Sequence, residues 1–154
     1  TYHGPGQLVV YLLLDLRRLG LGIRDLVSLI ERIVIGLLGE YTVEATNEPG
    51  APGVYVSGSK VAAIGFRIHR GCCYHGLSLN VDMDLSPFQS IDPCGYAGLQ
   101  VTQLRELGFT VAFARVRQQL LDRFIAELRY SQVVSGGAKL PVLAIHPPAS
   151  QKVS

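Results

Sequence analysis

"GVYVSGSKVAAIGFRIHRGCCYHGLSLNV", Gly53 to Val81, decides the fold. Its composition and glycine spacing read as strands joined by tight turns. "HRGC" is the hairpin turn, with Arg70 and Gly71 central and Gly71 supplying positive φ. A two-residue loop sets the register: His69 opposite Cys72, Arg67 opposite Tyr74, Gly65 opposite Gly76, Ala63 opposite Ser78. Paired residues share a face. One face then carries Ala63, Gly65, Gly76 and Ser78 and is nearly devoid of side chains. The other carries Ile64, Phe66, Ile68, Leu77 and Leu79 and is expected to be core. Glycines inside strands mark close approach by a ligand or another backbone. Two readings of the cleared face stay open: a surface for an extended guest, or a seat for a tightly packed helix.

Upstream, "LVVYLLL" (Leu8–Leu14) is a continuous apolar run of strand length, read as a buried strand. "GIRDLVSLIERIVIGLLGEY" is helical, with Leu26, Ile30, Ile33, Leu37 and Tyr41 on one face and Val34 and Leu38 beside them. "TVEAT" (Thr42–Thr46) reads as a short strand and "NEPGAPG" as a loop. Downstream, "ARVRQQLLDRFIAELRY" is a second amphipathic helix, with Val116, Leu120, Phe124 and Leu128 in line. The end is rich in small residues and proline. The expectation is an α/β (α+β) domain over residues 1–146, a mixed sheet flanked by helices, with a loose tail at 147–154.

The chain has 154 residues, 48% hydrophobic and 17% charged, which suits one globular domain and argues against disorder. A net charge of +2 is far below that of a dedicated nucleic-acid binder, so no nucleic-acid partner is expected. It suits an acidic protein partner, for which Arg17, Arg18, Arg67 and Arg70 form a candidate basic rim; scattered solvated charge is the plainer reading. Three cysteines without regular spacing make no disulfide framework, and a reducing cytoplasm is the simplest compartment. The run "LVVYLLLDL" stops at Asp15, short of membrane-spanning length, so no membrane partner is expected. The chain opens on Thr1 inside the turn motif "TYHGPGQ", and a further upstream segment is expected.

Four residues invite chemistry. Cys94, in "SIDPCGYAG", sits between a proline and a glycine; it is an inert loop cysteine or an exposed nucleophile that needs a base or a positive neighbour. Lys60 follows "SGS"; it is a solvated surface charge, or a base or thiolate partner. His3 lies in a Gly- and Pro-containing loop. His75, opposite Phe66, reads as a satisfied buried imidazole. Cys72, Cys73, His75 and Cys94 show no CxxC or HxxxH spacing, so no metal is expected.

"TYHGPGQLVVYLLLDL" and "GVYVSGSKVAAIGFRIHRGCCYHGLSLNVDMDLSPFQSIDPCGYAG", in that order, resemble the lipoyl(octanoyl) transferase family from Thr1 to about Leu99, and weakly beyond. The resemblance implies the catalytic-domain fold shared by biotin and lipoate protein ligases. It implies transfer of an octanoyl chain from octanoyl-acyl carrier protein to a lysine of lipoyl domains, in 2-oxoacid dehydrogenase complexes and the glycine cleavage H protein. It implies no cofactor. Cys94 would become acylated and Lys60 would activate it. Acyl-binding groups would come from Thr1, Tyr2 and His3, from Ala63, Ile64 and Gly65, and from Gly76, Leu77 and Ser78. The last two sets centre on the cleared face. The family's upstream strands and its Arg-Gly-Gly motif before "TYHGPGQ" are not among these residues. An ATP-dependent lipoate or biotin ligase on the same fold, and a non-catalytic acyl-carrier-binding module, are the alternatives.

Overall fold

The turn at Arg70 and Gly71 joins the two central strands of the sheet. The computed structural model describes residues 2–92, 95, 98–130, 133–135 and 143–145. In chain order the elements are β1 (Gln7–Tyr11), β2 (Leu14–Asp15), α1 (Leu16–Leu19), α2 (Ile23–Glu40), β3 (Gly53–Val56), β4 (Ser59–His69), β5 (Cys72–Asn80), α3 (Phe113–Glu127), β6 (Val133–Ser135) and β7 (Leu143–Ile145). The main sheet runs β1-β5-β4-β3, with β2 continuing along β5 beyond β1. Its ladders are antiparallel. A parallel bridge between Lys60 and Val101 makes the sheet mixed. β6 and β7 form a separate two-stranded ladder.

The β4–β5 register is the one the turn dictates: His69↔Cys72, Arg67↔Tyr74, Gly65↔Gly76 and Ala63↔Ser78. Arg70 and Gly71 have φ of 50° and 80°, the two positive values of a type I′ turn, whose twist matches that of the strands. Ser57 and Gly58 repeat the device between β3 and β4, at φ 49° and 80°.

α2 lays Leu26, Leu29, Ile30, Ile33, Val34, Leu37 and Leu38 into the core, and α3 adds Val116, Leu120 and Phe124. Both stripes follow the apolar spacing of the sequence. Each fully buried leucine is worth about 1.5–3 kcal/mol relative to exposure. α2 starts where the Asp25 carboxylate accepts the Gly22 N–H at 2.9 Å, an acid near the positive end of the helix. Ile64, Leu77, Leu79 and Cys73 meet these helices from the sheet as part of the same core.

Three expectations need correction. Leu8–Leu14 is not one buried strand. β1 is a sheet edge with one face inward, so Leu8, Leu12 and Leu14 are buried while Tyr11 (66% exposed) and Leu13 (75%) are not. The run also leaves regular pairing at Leu12 and Leu13, between β1 and β2. Thr42–Thr46 is not a strand: Thr42 takes a left-handed φ of 60° as α2 ends, and only Thr46 bridges, to Tyr55. His75 is exposed rather than buried, with φ 74°; that twist turns its carbonyl to the Leu12 N–H at 2.7 Å. Residues 147–154, expected as a tail, lie outside the described residues.

Candidate active site

Lys60 is the second residue of β4. Register shifts between Val54, opposite Ala62, and Tyr55, opposite Lys60, so Val61 is the extra residue of a bulge. Bulges re-aim side chains, and here Lys60 is turned inward until it is 3% exposed. The plain reading of Lys60 as a solvated charge is therefore wrong. Its ammonium donates to the Pro52 carbonyl at 3.2 Å and lies over the Tyr55 ring, 5.1 Å from the centroid. The Tyr55 hydroxyl is itself tied to the Ala51 carbonyl at 2.8 Å. Gly53 makes room: a Cβ there would stand 2.6 Å from the Ala62 carbonyl oxygen and 3.0 Å from Lys60 Cε. A polar head taken out of water needs such hydrogen-bonding partners.

The Lys60 backbone anchors the chain that runs on from the "PCGYAG" motif. Lys60 N–H donates to the Gln100 carbonyl, and Thr102 N–H donates to the Lys60 carbonyl, both at 2.9 Å. Gly95, one residue past Cys94, donates its N–H to the Asp92 carbonyl at 3.0 Å, with φ 79°. Cys94 and Thr1 lie outside the described residues.

A chain of polar side chains crosses the same end of the sheet. His3 Nδ1–H donates to Gln7 Oε1 at 2.7 Å, Gln7 Nε2 to Asn80 Oδ1 at 2.8 Å, and Asn80 Nδ2 to the Thr102 carbonyl at 2.9 Å. Gln7 and Asn80 are buried and each commits its amide to these partners. Tyr2 stacks edge-on against Phe88, with centroids 5.5 Å apart, and so joins the first loop to the 3-10 turn Ser86–Ser90 that precedes "DPCG". Gly6 accepts the N–H groups of Val81 and Asp82. Of the first set of site residues, Tyr2 and His3 are thus placed beside the end of β5.

The other two sets face each other across the β4–β5 ladder as Ala63↔Ser78, Ile64↔Leu77 and Gly65↔Gly76. The side chains of Ile64 and Leu77 enter the core, so only their backbone borders the cleared face. Gly65 is exposed and nothing stands within 4 Å of where its Cβ would be. Gly76 is different: a Cβ there would sit 2.1 Å from the Val10 carbonyl oxygen of β1. One glycine leaves open space and the other admits a neighbouring backbone.

Of the other cysteines, Cys72 is exposed and Cys73 is buried, 2% exposed, as alternation along a strand requires. Burial pushes the Cys73 thiol up, and its Sγ lies 3.7 Å from the Leu12 carbonyl. A protonated, enclosed thiol is a poor nucleophile at neutral pH. Arg17, Arg18, Arg67 and Arg70 are all exposed. Arg17 pairs with Asp15 at 3.3 Å and packs on the Gly71 turn, which brings it to the hairpin tip. A cleft of about 300 Å³ is lined by Glu48, Pro49, Ala51, Tyr55, Gly58, Gly98 and Leu99.

The sequence reading passed over Glu31, Tyr55, Gln7, Asn80 and Thr102. Gln7 and Asn80 sit at strand ends, where polar residues read as turn chemistry. Glu31 sits in the helix between Ile30 and Arg32, where a charge reads as solvated; no pattern marks it.

Solved structures that share this architecture include biotin and lipoate protein ligases. A biotin protein ligase from Aquifex aeolicus superposes with a TM-score of 0.65 at 20% identity, covering 80% of this chain and 53% of its own. A lipoate-protein ligase A bound with ATP gives 0.64 at 17% identity, covering 83% and 54%. These define the fold as that of the biotin and lipoate protein ligase catalytic domains. A family model described as the lipoyl protein ligase A/B catalytic domain matches residues 1–125, and the chain belongs to that family. An octanoyltransferase of Pseudomonas aeruginosa is 58% identical over 142 residues, 91% of this chain and 65% of its own length. One of Stutzerimonas stutzeri is 58% identical over 139 residues, 89% and 64%. The chain thus spans just under two thirds of these curated relatives.

Proposed function

We propose that this chain carries the catalytic segment of an octanoyltransferase, which moves octanoyl from octanoyl-acyl carrier protein to a lysine of a lipoyl domain. One observation carries the reading. The 58% identity with an octanoyltransferase covers 91% of this chain, which leaves 9% (100 − 91) for the ends, so the matched span runs through Lys60 and the "DPCGYAG" motif.

In the proposed reaction the Lys60 ammonium stabilises the Cys94 thiolate, which attacks the carrier thioester. A new C–S bond forms, the old one breaks, and the carrier thiol leaves with a proton from Lys60, which is left as the neutral amine. The ε-amine of the target lysine then attacks octanoyl-Cys94. A C–N bond forms, the Cys94 thiolate departs, and Lys60 takes the proton that the amine loses. Exchange of thioester for thioester is nearly balanced and amide formation runs downhill, so the reaction requires neither ATP nor metal. The covalent intermediate divides one hard transfer into two easier ones. The open face at Gly65, with Ala63, Ser78 and the loop of Tyr2 and His3, would hold the aliphatic chain. Each buried methylene adds about 0.8 kcal/mol, which gives selection by chain length. Carrier docking is assigned to Arg17 and Arg70 at the hairpin tip, and the compartment to the cytoplasm; no helix of the described residues is long and apolar enough to cross a membrane.

The test is intact-protein mass spectrometry after incubation with octanoyl-acyl carrier protein, with peptide mapping. The expected result is an octanoyl adduct on Cys94 that a lipoyl domain discharges. ATP-dependent modification of a lipoyl domain by free octanoate, indifferent to Cys94→Ser, would replace this reading with a ligase.

A further inference from the structure

Lys60 does not meet its main-chain acceptor alone. The carbonyl that receives its ammonium, Pro52 C=O, belongs to the same peptide unit as the Gly53 N–H. That N–H donates to Glu31 Oε1 at 3.2 Å. Glu31 is on α2, only 5% exposed, and its other oxygen accepts from Asn47 Nδ2 at 2.9 Å. A buried carboxylate and a buried ammonium therefore grip the two ends of one peptide bond.

We infer that Glu31 is a positioning residue for Lys60, acting through the Pro52–Gly53 peptide; the inference rests on the assignment of Lys60 to the transfer reaction. The physical case has three parts. A hydrogen bond to an ionised acceptor is stronger than a neutral one, so Glu31 holds the peptide plane more firmly than a water or an amide would. Pulling on the N–H polarises the unit and makes its carbonyl a better acceptor for the ammonium. A carboxylate is also costly to bury without a compensating role in binding or charge balance. Here the compensating charge is Lys60, one peptide away. Gly53 belongs to the device. With φ of 147° and the Ala62 carbonyl 2.6 Å from its Cβ position, no side chain fits there, and the Lys60 arm passes directly against the peptide. The Tyr55 ring adds a cation–π contact to the same ammonium.

The test uses the full chain with ¹³C-labelled lysine. The Lys60 ε-carbon signal is identified by its disappearance in Lys60→Arg. Glu31→Gln keeps an oxygen for the Gly53 N–H and removes only the charge. Asn47→Ala frees one carboxylate oxygen from an exposed loop position and guards against a Glu31 variant that does not fold. The expected result is a displaced Lys60 resonance in both. With it, octanoyl loading at saturating carrier falls about tenfold in Glu31→Gln and about twofold in Asn47→Ala, with KM for the carrier unchanged. A simply structural carboxylate would move KM and melting temperature and leave the resonance in place. A Lys60 resonance coincident with wild type in both variants overturns the inference. Should the unsubstituted protein take no octanoyl from the carrier, the functional reading falls, and the Lys60 resonance still decides this one.

Discussion

Gly65 and Gly76 are partners in the β4–β5 ladder, yet their surroundings are opposite: open space above one, the Val10 carbonyl 2.1 Å from the Cβ position of the other. Alanine separates their roles. Gly76→Ala must push β1 off β5 and is expected to cost about 2–3 kcal/mol. Thermal unfolding would show it as a fall of roughly 5–10 °C. Gly65→Ala meets nothing, removes a flexible residue from a strand, and should leave the melting temperature level or slightly raised. Its methyl group enters the proposed acyl surface, so octanoyl loading should slow by roughly tenfold. Equal loading by Gly65→Ala and wild type would remove that face from substrate binding.

Cys94→Ser should fold and accept no octanoyl from the carrier in thioester form. Lys60→Ala should retain carrier binding and lose acylation rate by roughly 10²–10⁴, the range for removal of a proton-transfer group. Stopped-flow or quenched loading, read by mass, measures both. Wild-type loading by Lys60→Ala would release Lys60 from the reaction.

The Cys73 thiol makes the fold sensitive to alkali. Burial raises its folded-state value above that of the unfolded chain. The protonated form is therefore favoured by the folded state. Its contribution is complete below the ordinary thiol value of about 8.5 and is lost as pH rises above it. Denaturant midpoints of wild type should fall between pH 8 and pH 10 more steeply than those of Cys73→Ala. Parallel curves would show that Cys73 does not govern this limb.

Asn80→Ala leaves the Gln7 amide without its acceptor and the Thr102 carbonyl without its donor. Leaving such groups unpaired in the interior costs about 1–3 kcal/mol. Because Thr102 N–H also bonds to the Lys60 carbonyl, loading should suffer together with stability. Asn80→Asp keeps an acceptor for Gln7 and should recover part of the stability. An Asn80→Ala protein as stable as wild type would show that water replaces the network.

Legibility in the sequence followed the range of the forces involved. α2 and α3 were readable because their apolar residues recur every three or four positions and the core takes that stripe. β4 and β5 were readable to the residue, because only a two-residue turn with positive φ at Arg70 and Gly71 brings the alternating residues into one register. The apolar run Leu8–Leu14 was misread because hydrophobicity does not tell an edge strand from a central one. His75 was misread because a single left-handed residue breaks the alternation from which its burial was inferred.

For the candidate site, the sequence by itself determined the paired glycines and the residues that share the β4–β5 face, which are matters of neighbours along one chain or across one turn. Lys60 and Cys94 became candidates together only through the family resemblance of their motifs. Only the tertiary structure decided that Lys60 is buried and that Glu31, 29 residues earlier (60 − 31), holds the peptide it binds. The reason is physical. α2 must dock on β3 and β4 before a carboxylate from the helix can reach the Pro52–Gly53 peptide. Nothing in the spacing of a helix records which loop will settle on its flank.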